Sequence, residues 1–160
     1  MKENIPYITL TWKSTPRSDE DIFKFEAVTG IIKNKDSGLY LALEFIREEY
    51  WLIWWKLEEW EKRNDAIVRE VEEESGYKNA KIISILFEQF YSRWYKARKD
   101  REEECLDKVY LIEVEEKNKS KILWADIWTE WVFWLDEKQM LNKLTLDHHL
   151  YYFKEYLRNK

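Results

Sequence analysis

Glycine, proline and cysteine are scarce in this chain, which has 3 Gly, 2 Pro and 1 Cys among its 160 residues. Average usage for that length would give roughly 11 Gly and 8 Pro. The sequence therefore has few of the residues that normally mark turns and left-handed backbone. The single cysteine, Cys105, excludes an internal disulfide and fits a reducing compartment.

Long apolar runs are missing as well. No run approaches the roughly 18 apolar residues that predict a membrane-spanning helix, and Met1-Lys2-Glu3-Asn4 are not followed by an apolar stretch of the signal-peptide type. With 45% hydrophobic residues the composition is that of a folded protein, and the length suits one domain over residues 1–160. These observations predict a cytoplasmic protein with no membrane partner.

The charge pattern does not favour nucleic acid as a general partner. The net charge is −5, and no basic stripe is present. The basic cluster at 96–101 is followed at once by Glu102-Glu103-Glu104. Mixed charge of this kind predicts a solvated loop.

Tryptophan is the residue in excess, with 10 in the chain. Most of them fall in two short segments: Trp51, Trp54, Trp55 and Trp60, then Trp124, Trp128, Trp131 and Trp134. Indoles bury a large area and are enriched at binding hot spots. Strand alternation places Trp131 opposite Trp128 and Trp134, so part of the second group should lie in the core. We therefore expect the first group to be the functional one.

The order of elements predicts an α/β or α+β sandwich. Strands are expected at 23–33 and 39–47 around a turn at 34–38, at 81–95, at 108–115 and within 122–135. A helix is expected over 64–75, capped by Asn64 or Asp65 and ended by Gly76. A short helix should follow from Asp136 and an amphipathic one over 146–157. Asp147-His148-His149 at its start favours a surface role, because adjacent histidines on a helix point apart.

Three carboxylates share one face of the helix expected at 64–75. Glu70, Glu73 and Glu74 lie at i, i+3 and i+4. A hard cation such as Mg²⁺ or Mn²⁺ would offset their repulsion, since such ions prefer oxygen ligands. The alternative is a solvated acidic face, which is common on surfaces.

The residues around these carboxylates resemble the Nudix box. Glu61 is followed after seven residues by Arg69-Glu70-Val71, then Glu73-Glu74 and Gly76-Tyr77, at that family's spacing. The segments 25–32 and 131–137 are similar to an early and a late strand of the family. The resemblance implies a Nudix-type α/β/α sandwich with a central mixed β-sheet.

The resemblance also implies roles for individual residues. Glu70, Glu73 and Glu74 would hold Mg²⁺ or Mn²⁺, and Arg69 would orient these carboxylates by ion pairing. Glu61 would support the loop or a metal-bound water, and Glu61, Arg69 and Glu73 would form the catalytic group. The implied activity is divalent-metal-dependent hydrolysis of a phosphoanhydride in a nucleoside diphosphate-linked compound.

The sequence departs from the family pattern in the loop before the helix. Ile53-Trp54-Trp55 stand where the family usually has Pro-Gly-Gly, and Trp60 stands where it has glycine before the lone glutamate. Glycine there supplies positive φ and lets the backbone approach metal and phosphates. We therefore expect hydrolysis to be weak or lost.

Two accounts of the loop remain open. In one, residues 50–61 are rebuilt as helix or strand. In the other, Trp51, Trp54, Trp55 and Trp60 line the former substrate cleft and bind a flat aromatic or nucleotide-like small molecule. If these four indoles faced outward, they would instead form a homo-oligomer interface. The alternative function is therefore an engineered binding or self-assembling protein on a Nudix scaffold, and engineering is favoured over natural divergence. Simple enlargement of the core is a third possibility for one or two indoles.

Overall fold

The computed structural model describes residues 7–11, 22–45, 48–119 and 129–160. Its elements are β1 (Tyr7–Thr11), β2 (Ile22–Asn34), β3 (Tyr40–Phe45), β4 (Glu49–Trp51), β5 (Ile53–Lys56), α1 (Arg63–Ser75), β6 (Lys81–Lys96), β7 (Arg101–Val114), β8 (Thr129–Leu135), α2 (Glu137–Lys143) and α3 (Asp147–Arg158). The expectations for Trp124 and Trp128 lie outside the described residues, as does the one for the side chain of Trp131.

One mixed sheet forms the centre of the described chain. Its main path is β1-β6-β7-β2-β3-β4, with β5 paired to β2 and β8 to β3. The pairs β1–β6 and β2–β7 are parallel, and the remaining pairs are antiparallel. β2 lies at the centre because its residues from Ile22 to Asn34 pair along their whole length with β7.

Helices cover both faces of the sheet, which confirms the predicted α/β/α sandwich. On one face α1 contributes Ala66, Ile67 and Val71 to a core that includes Val28 and Ile53. On the other face α2 and α3 bury a second set of side chains against the sheet: Met140, Tyr152, Phe153 and Tyr156. Alternate residues of β2, such as Val28 and Ile31, therefore serve the two cores.

The helix α1 begins one residue earlier than predicted and ends as predicted. Gly76 has φ 76° and ψ 6°, the left-handed conformation expected of a C-terminal cap, and its N–H bonds to the carbonyl of Glu72. The predicted side-chain cap is wrong, because the N-cap is Lys62 and no side chain caps it. Asn64 instead accepts a hydrogen bond from the Tyr110 hydroxyl at 2.7 Å, which ties the first turn to the sheet.

The charged loop predicted at 96–104 is mostly strand. Only a short turn at Ala97–Lys99 separates β6 from β7. Glu103 and Glu104 are buried, and cations meet them: Lys96 and Arg101 pair with Glu103, and Arg93 pairs with Glu104. The local charge pattern indicated solvent, but cross-strand partners supply the opposite charges.

No helix among the described residues is long and apolar enough to cross a membrane.

Candidate carboxylate site and aromatic recess

The carboxylates predicted to bind metal lie on α1 with unequal exposure. Glu70 is 2% exposed, Glu74 is half-buried, and the Glu73 side chain is 49% exposed. The helix turns Glu70 towards the sheet because Ile67 and Val71 of the same face are in the core. Glu70 is therefore the most desolvated member of the group.

Arg69 is the centre of the site. Its guanidinium forms two hydrogen bonds with Glu61, at 2.8 Å from Nε and 3.1 Å from Nη2. Nη1 reaches Glu73 at 2.8 Å and Glu70 at 2.5 Å. Three carboxylates from the loop and the helix therefore share one cation, which raises the pKa of Arg69 and lowers that of Glu61.

Burial dominates the titration of Glu70. It raises the pKa of that carboxyl to about 7, against the opposing effect of Arg69. Glu73 and Glu74 add smaller repulsive contributions in the same direction as burial. Glu70 is accordingly poised to gain or lose a proton near neutral pH.

The donor set suits a hard divalent cation in its chemistry, because three glutamate side chains offer only oxygen ligands. Among the described residues, however, no group of three His, Cys, Asp or Glu side chains is gathered closely enough to hold an ion. Arg69 now neutralises Glu70 and Glu73. Binding of a cation here would therefore require Arg69 to release these two carboxylates while it keeps its hydrogen bonds to Glu61.

The segment that the family fills with glycines is a strand here. Trp54 and Trp55 of β5 pair with Thr29 and Val28 of β2, and the Leu57 N–H donates to the Glu26 carbonyl at 2.8 Å. Of the two accounts of this segment, the structure shows rebuilding as strand. Alternation points Trp54 to the α3 face and Trp55 to the α1 face.

Trp60 is held in an unfavourable position. Its φ is 72° and its side chain is 98% exposed. The left-handed region costs a non-glycine residue roughly 1–2 kcal/mol, and an exposed indole gains no burial to offset that cost. Glu48, Asn79 and Asp100 also have positive φ, a conformation that asparagine and aspartate tolerate better than glutamate does.

A recess of about 310 Å³ lies between the start of α3 and the sheet. Its walls are mainly aromatic, with a few polar groups at the side: Trp51, Trp54, Trp94, Lys96, Thr145, Leu146, Asp147 and His148. The rings of Trp94 and His148 stack in parallel, with centroids 6.0 Å apart and an interplanar angle of 3°. Its size and lining are typical of a small-molecule site.

The surface role predicted for the two histidines is wrong. His148 is 5% exposed and His149 is fully buried, because α3 lies against the sheet from its first turn. The Leu52 N–H donates to Nδ1 of His149 at 3.1 Å. Burial lowers the pKa of His148 to about 3 and lowers that of His149 well below its usual value.

These histidines should make the fold sensitive to acid. The unfolded chain takes up protons near the ordinary histidine pKa, while the folded chain resists them down to about 3 for His148. The contribution of the two histidines to stability should therefore fall as pH decreases through about 6.5, whereas Glu70 and Asp107, whose pKa values burial raises, act in the opposite direction. His148→Phe should lose less stability than the unchanged chain between about pH 7 and about pH 5 in urea titrations. A Lys154→Met variant, changed at an exposed position of α3, should keep the original pH dependence.

Sequence reasoning missed a polar group beneath the recess. Asp107 is fully buried and accepts hydrogen bonds from the hydroxyls of Thr29 at 2.6 Å and Tyr152 at 3.2 Å. Burial raises the pKa of Asp107 to about 7. The neighbouring Cys105 on the same strand is also buried, and burial raises the pKa of its thiol. No local signal in the sequence indicated this burial, because Asp107 follows a run of charged residues closely and is next to Lys108.

The two tryptophan segments differ in their surroundings. Trp54 contacts Phe25 and Trp94 at ring distances of 6.0 and 6.4 Å, so its neighbours are aromatic rather than aliphatic. Trp134 packs edge-on against Tyr77 at 5.4 Å on the α1 side of the sheet. Trp55 is 37% exposed. Of the first segment, Trp51 and Trp54 line the recess, whereas Trp55 and Trp60 do not, and Trp134 packs beside the other core.

The architecture matches that of solved structures. A Nudix hydrolase from Nitrosomonas europaea aligns with TM-score 0.64 and 18% identity, over 86% of this chain and 90% of that one. A C. elegans Ap4A hydrolase aligns with TM-score 0.63 and 14% identity, over 84% and 96%. The E. coli dihydroneopterin triphosphate pyrophosphohydrolase aligns with TM-score 0.61 and 13% identity, over 87% and 99%. No family model and no curated protein sequence matches this chain significantly.

An α/β/α sandwich with a glutamate-rich helix on one face is thus the class that the structure defines. The chain has the Nudix fold, as the spacing from Glu61 to Gly76 predicts.

Proposed function

We propose that this protein is a divalent-metal-dependent hydrolase of nucleoside diphosphate-linked compounds, with weak turnover while tryptophan occupies its loop. The observation that carries the proposal is the Arg69 network, which joins Glu61 of the loop to Glu70 and Glu73 of α1. A solvated acidic face has no need of a buried Glu70 or of a two-bond contact between Arg69 and Glu61.

Each member of the network has a distinct part in the proposed site. Glu70, Glu73 and Glu74 would hold Mg²⁺ or Mn²⁺, which when bound neutralises phosphate charge and lowers the pKa of a coordinated water. Arg69 would keep its two hydrogen bonds to Glu61 and would release the carboxylates of Glu70 and Glu73 to the metal. Glu70 would lose its proton on metal binding, so affinity should rise with pH through about 7.

The recess supplies a place for the flat part of a substrate. Trp51, Trp94 and His148 present ring faces and edges there, and Lys96 adds a cation. Two of the similar structures are named for Ap4A and for dihydroneopterin triphosphate. We infer a substrate of the same general kind, in which a flat ring is linked to phosphates.

The loop is the reason for expecting weak turnover. The indoles of Trp54 and Trp55 lie on opposite faces of β5, and β5 is fixed to β2 by backbone pairing. A backbone held in this way cannot approach phosphates as a glycine loop does. Misplacement of reacting groups by about 1 Å can reduce a rate about 100-fold.

Calorimetric titration with Mg²⁺ or Mn²⁺ tests the carboxylate site. The unchanged chain should bind with measurable heat, and Glu73→Gln should weaken binding by about tenfold, by analogy with other losses of metal-site residues. Glu72→Gln is the matched control, because Glu72 lies on the same helix, is equally exposed and pairs with Lys78 instead. Equal heats for the unchanged chain and Glu73→Gln would contradict a metal site at these carboxylates.

A release assay tests the reaction itself. With Mg²⁺ and a panel of nucleotide-sugar and dinucleotide substrates, turnover should be detectable, lost in Glu73→Gln, and well below about 1 per second. Turnover at ordinary enzyme rates would contradict the weak activity proposed for this loop. No turnover at any metal concentration would contradict the hydrolase proposal and favour a binding protein.

The second candidate is a binding protein built on the same fold. It is favoured by the recess itself, whose walls include three tryptophans and a stacked histidine. A flat aromatic compound should quench tryptophan fluorescence, and Trp94→Leu should weaken that binding at least about fivefold, because one aromatic contact contributes about 1 kcal/mol or more. Trp134→Leu, outside the recess, should leave the affinity unchanged. Equal loss in both variants would contradict a site in the recess.

A further inference from the structure

We propose that the functional residue at positions 54, 55 and 60 is glycine, and that these three codons are UGA. UGA is read as tryptophan in some genetic codes and as glycine in others, whereas UGG specifies tryptophan in both. The tryptophans at these three positions would then be the result of translating glycine codons with a code in which UGA specifies tryptophan. The proposal rests on the proposed function only for its activity measurement.

Trp60 gives the clearest structural evidence. Its φ of 72° lies in the region that favours glycine, and its side chain is 98% exposed. A tryptophan that contributed to packing would be buried, and this one is not. The backbone at this position therefore has the properties of a glycine site without any contribution from the indole.

Trp55 and Trp54 occupy the other two positions of the segment that resembles the glycine loop, and neither has a positive φ. Trp55 is a large hydrophobic residue with 37% exposure. Trp54 lies between Phe25 and Trp94, at ring distances of 6.0 and 6.4 Å. Glycine at both positions would remove two indoles and weaken the strand that precedes Glu61.

The preserved network argues against loss of function by drift. Glu61, Arg69, Glu70 and Glu73 keep mutual contacts of 2.5 to 3.1 Å, although the loop beside them carries three indoles. Random substitution would have no reason to spare the carboxylates while it changed three loop positions to one residue type. A single change in codon reading affects such positions together and leaves the others intact.

Composition gives independent support. The chain has 10 Trp and 3 Gly, so the excess of one residue accompanies the deficit of the other. Trp94 and Trp134 lie outside the segment that resembles the glycine loop, and each has a ring partner: Trp94 stacks on His148, and Trp134 meets Tyr77 edge-on. These two should be genuine tryptophans with UGG codons, which makes them internal controls.

The codons and the peptide masses test the assignment without any activity measurement. The gene should have UGA at 54, 55 and 60 and UGG at 94 and 134. Mass spectrometry of the protein isolated from the cells that carry the gene should show glycine at the first three positions and tryptophan at the other two. UGG at position 54, 55 or 60, or tryptophan there in the isolated protein, would overturn the proposal.

An activity measurement then separates this proposal from the proposed function. The W54G/W55G/W60G chain should hydrolyse its substrate about 100-fold faster than the tryptophan chain with Mg²⁺, and adding Glu73→Gln should abolish the gain. W134G is the matched control and should give no gain. Glycine in the isolated protein without any gain in hydrolysis would contradict the hydrolase function while it supports the glycine assignment.

Discussion

Replacing Arg69 with methionine should lower the free energy of unfolding by about 3 kcal/mol at about pH 8, since breaking a buried pair leaves an uncompensated charge. Glu70 is the reason, because its carboxylate is 2% exposed and Arg69 Nη1 lies 2.5 Å from it. Methionine keeps much of the length and apolar volume of the arginine side chain, so the charge is the main change. Urea titration followed by circular dichroism measures the loss.

The pH dependence identifies Glu70 as the source. Burial raises the pKa of Glu70 in the folded chain to about 7, and removal of Arg69 should raise it further. The folded chain then holds a proton that the unfolded chain releases, so stability decreases as pH rises from about 4.5. The effect of Arg69→Met should accordingly shrink at about pH 5. If the loss of unfolding free energy were equal at both pH values, its cause would be lost packing of the Arg69 side chain and not the charge of Glu70.

Arg63→Met is the control for that experiment. Arg63 pairs with Glu26, whose side chain is 50% exposed, at 2.7 Å. Pairs at the surface contribute about 0–1 kcal/mol. The control variant should therefore change the unfolding free energy little, with no dependence on the titration of Glu70.

Phe153→Ala should have the largest effect on the second core, with a loss of about 3–5 kcal/mol in the free energy of unfolding. Phe153 is fully buried in α3, and its ring lies 5.1 Å from that of Tyr40 and 6.0 Å from that of Tyr156. Truncation removes these contacts and leaves a cavity that the helix cannot easily fill.

Lys154→Ala, at the next position of the same helix, provides the comparison. Lys154 is exposed, so the change should stay within about 0.5 kcal/mol. Chemical denaturation of both variants gives the two values under the same conditions. A loss below about 1 kcal/mol for Phe153→Ala would contradict a packed interface between α3 and the sheet.

The helix α1 and its carboxylates could be predicted from the sequence because the residues that define them are close together in the chain. The spacing of Glu61, Arg69, Glu70 and Glu73 carries the resemblance, and Gly76 marks the end of the helix. Strands β2 and β6 were found for a similar reason, since their apolar residues are clustered along the chain. The fold class followed from this order of elements.

The recess could not be found in the same way because its walls come from distant segments. Trp51, Trp94 and His148 are brought together only by the pairing of strands and by the position of α3. The burial of Glu103 depends likewise on Lys96, across the turn between β6 and β7, and on Arg101 of its own strand. In both cases charge or polarity along the chain predicts solvent, and tertiary contacts decide otherwise.

The buried thiol of Cys105 makes the centre of the sheet accessible to kinetic measurement. Cys105 pairs with Phe25 of β2 on one side and with Ser92 of β6 on the other, and it is fully buried. A thiol reagent can reach it only when these strands separate, so the labelling rate reports the opening equilibrium of the central strands. As the chain's single cysteine it needs no mutation to serve as this probe. Labelling in the presence and absence of a ligand would measure how far occupation of the recess slows that opening.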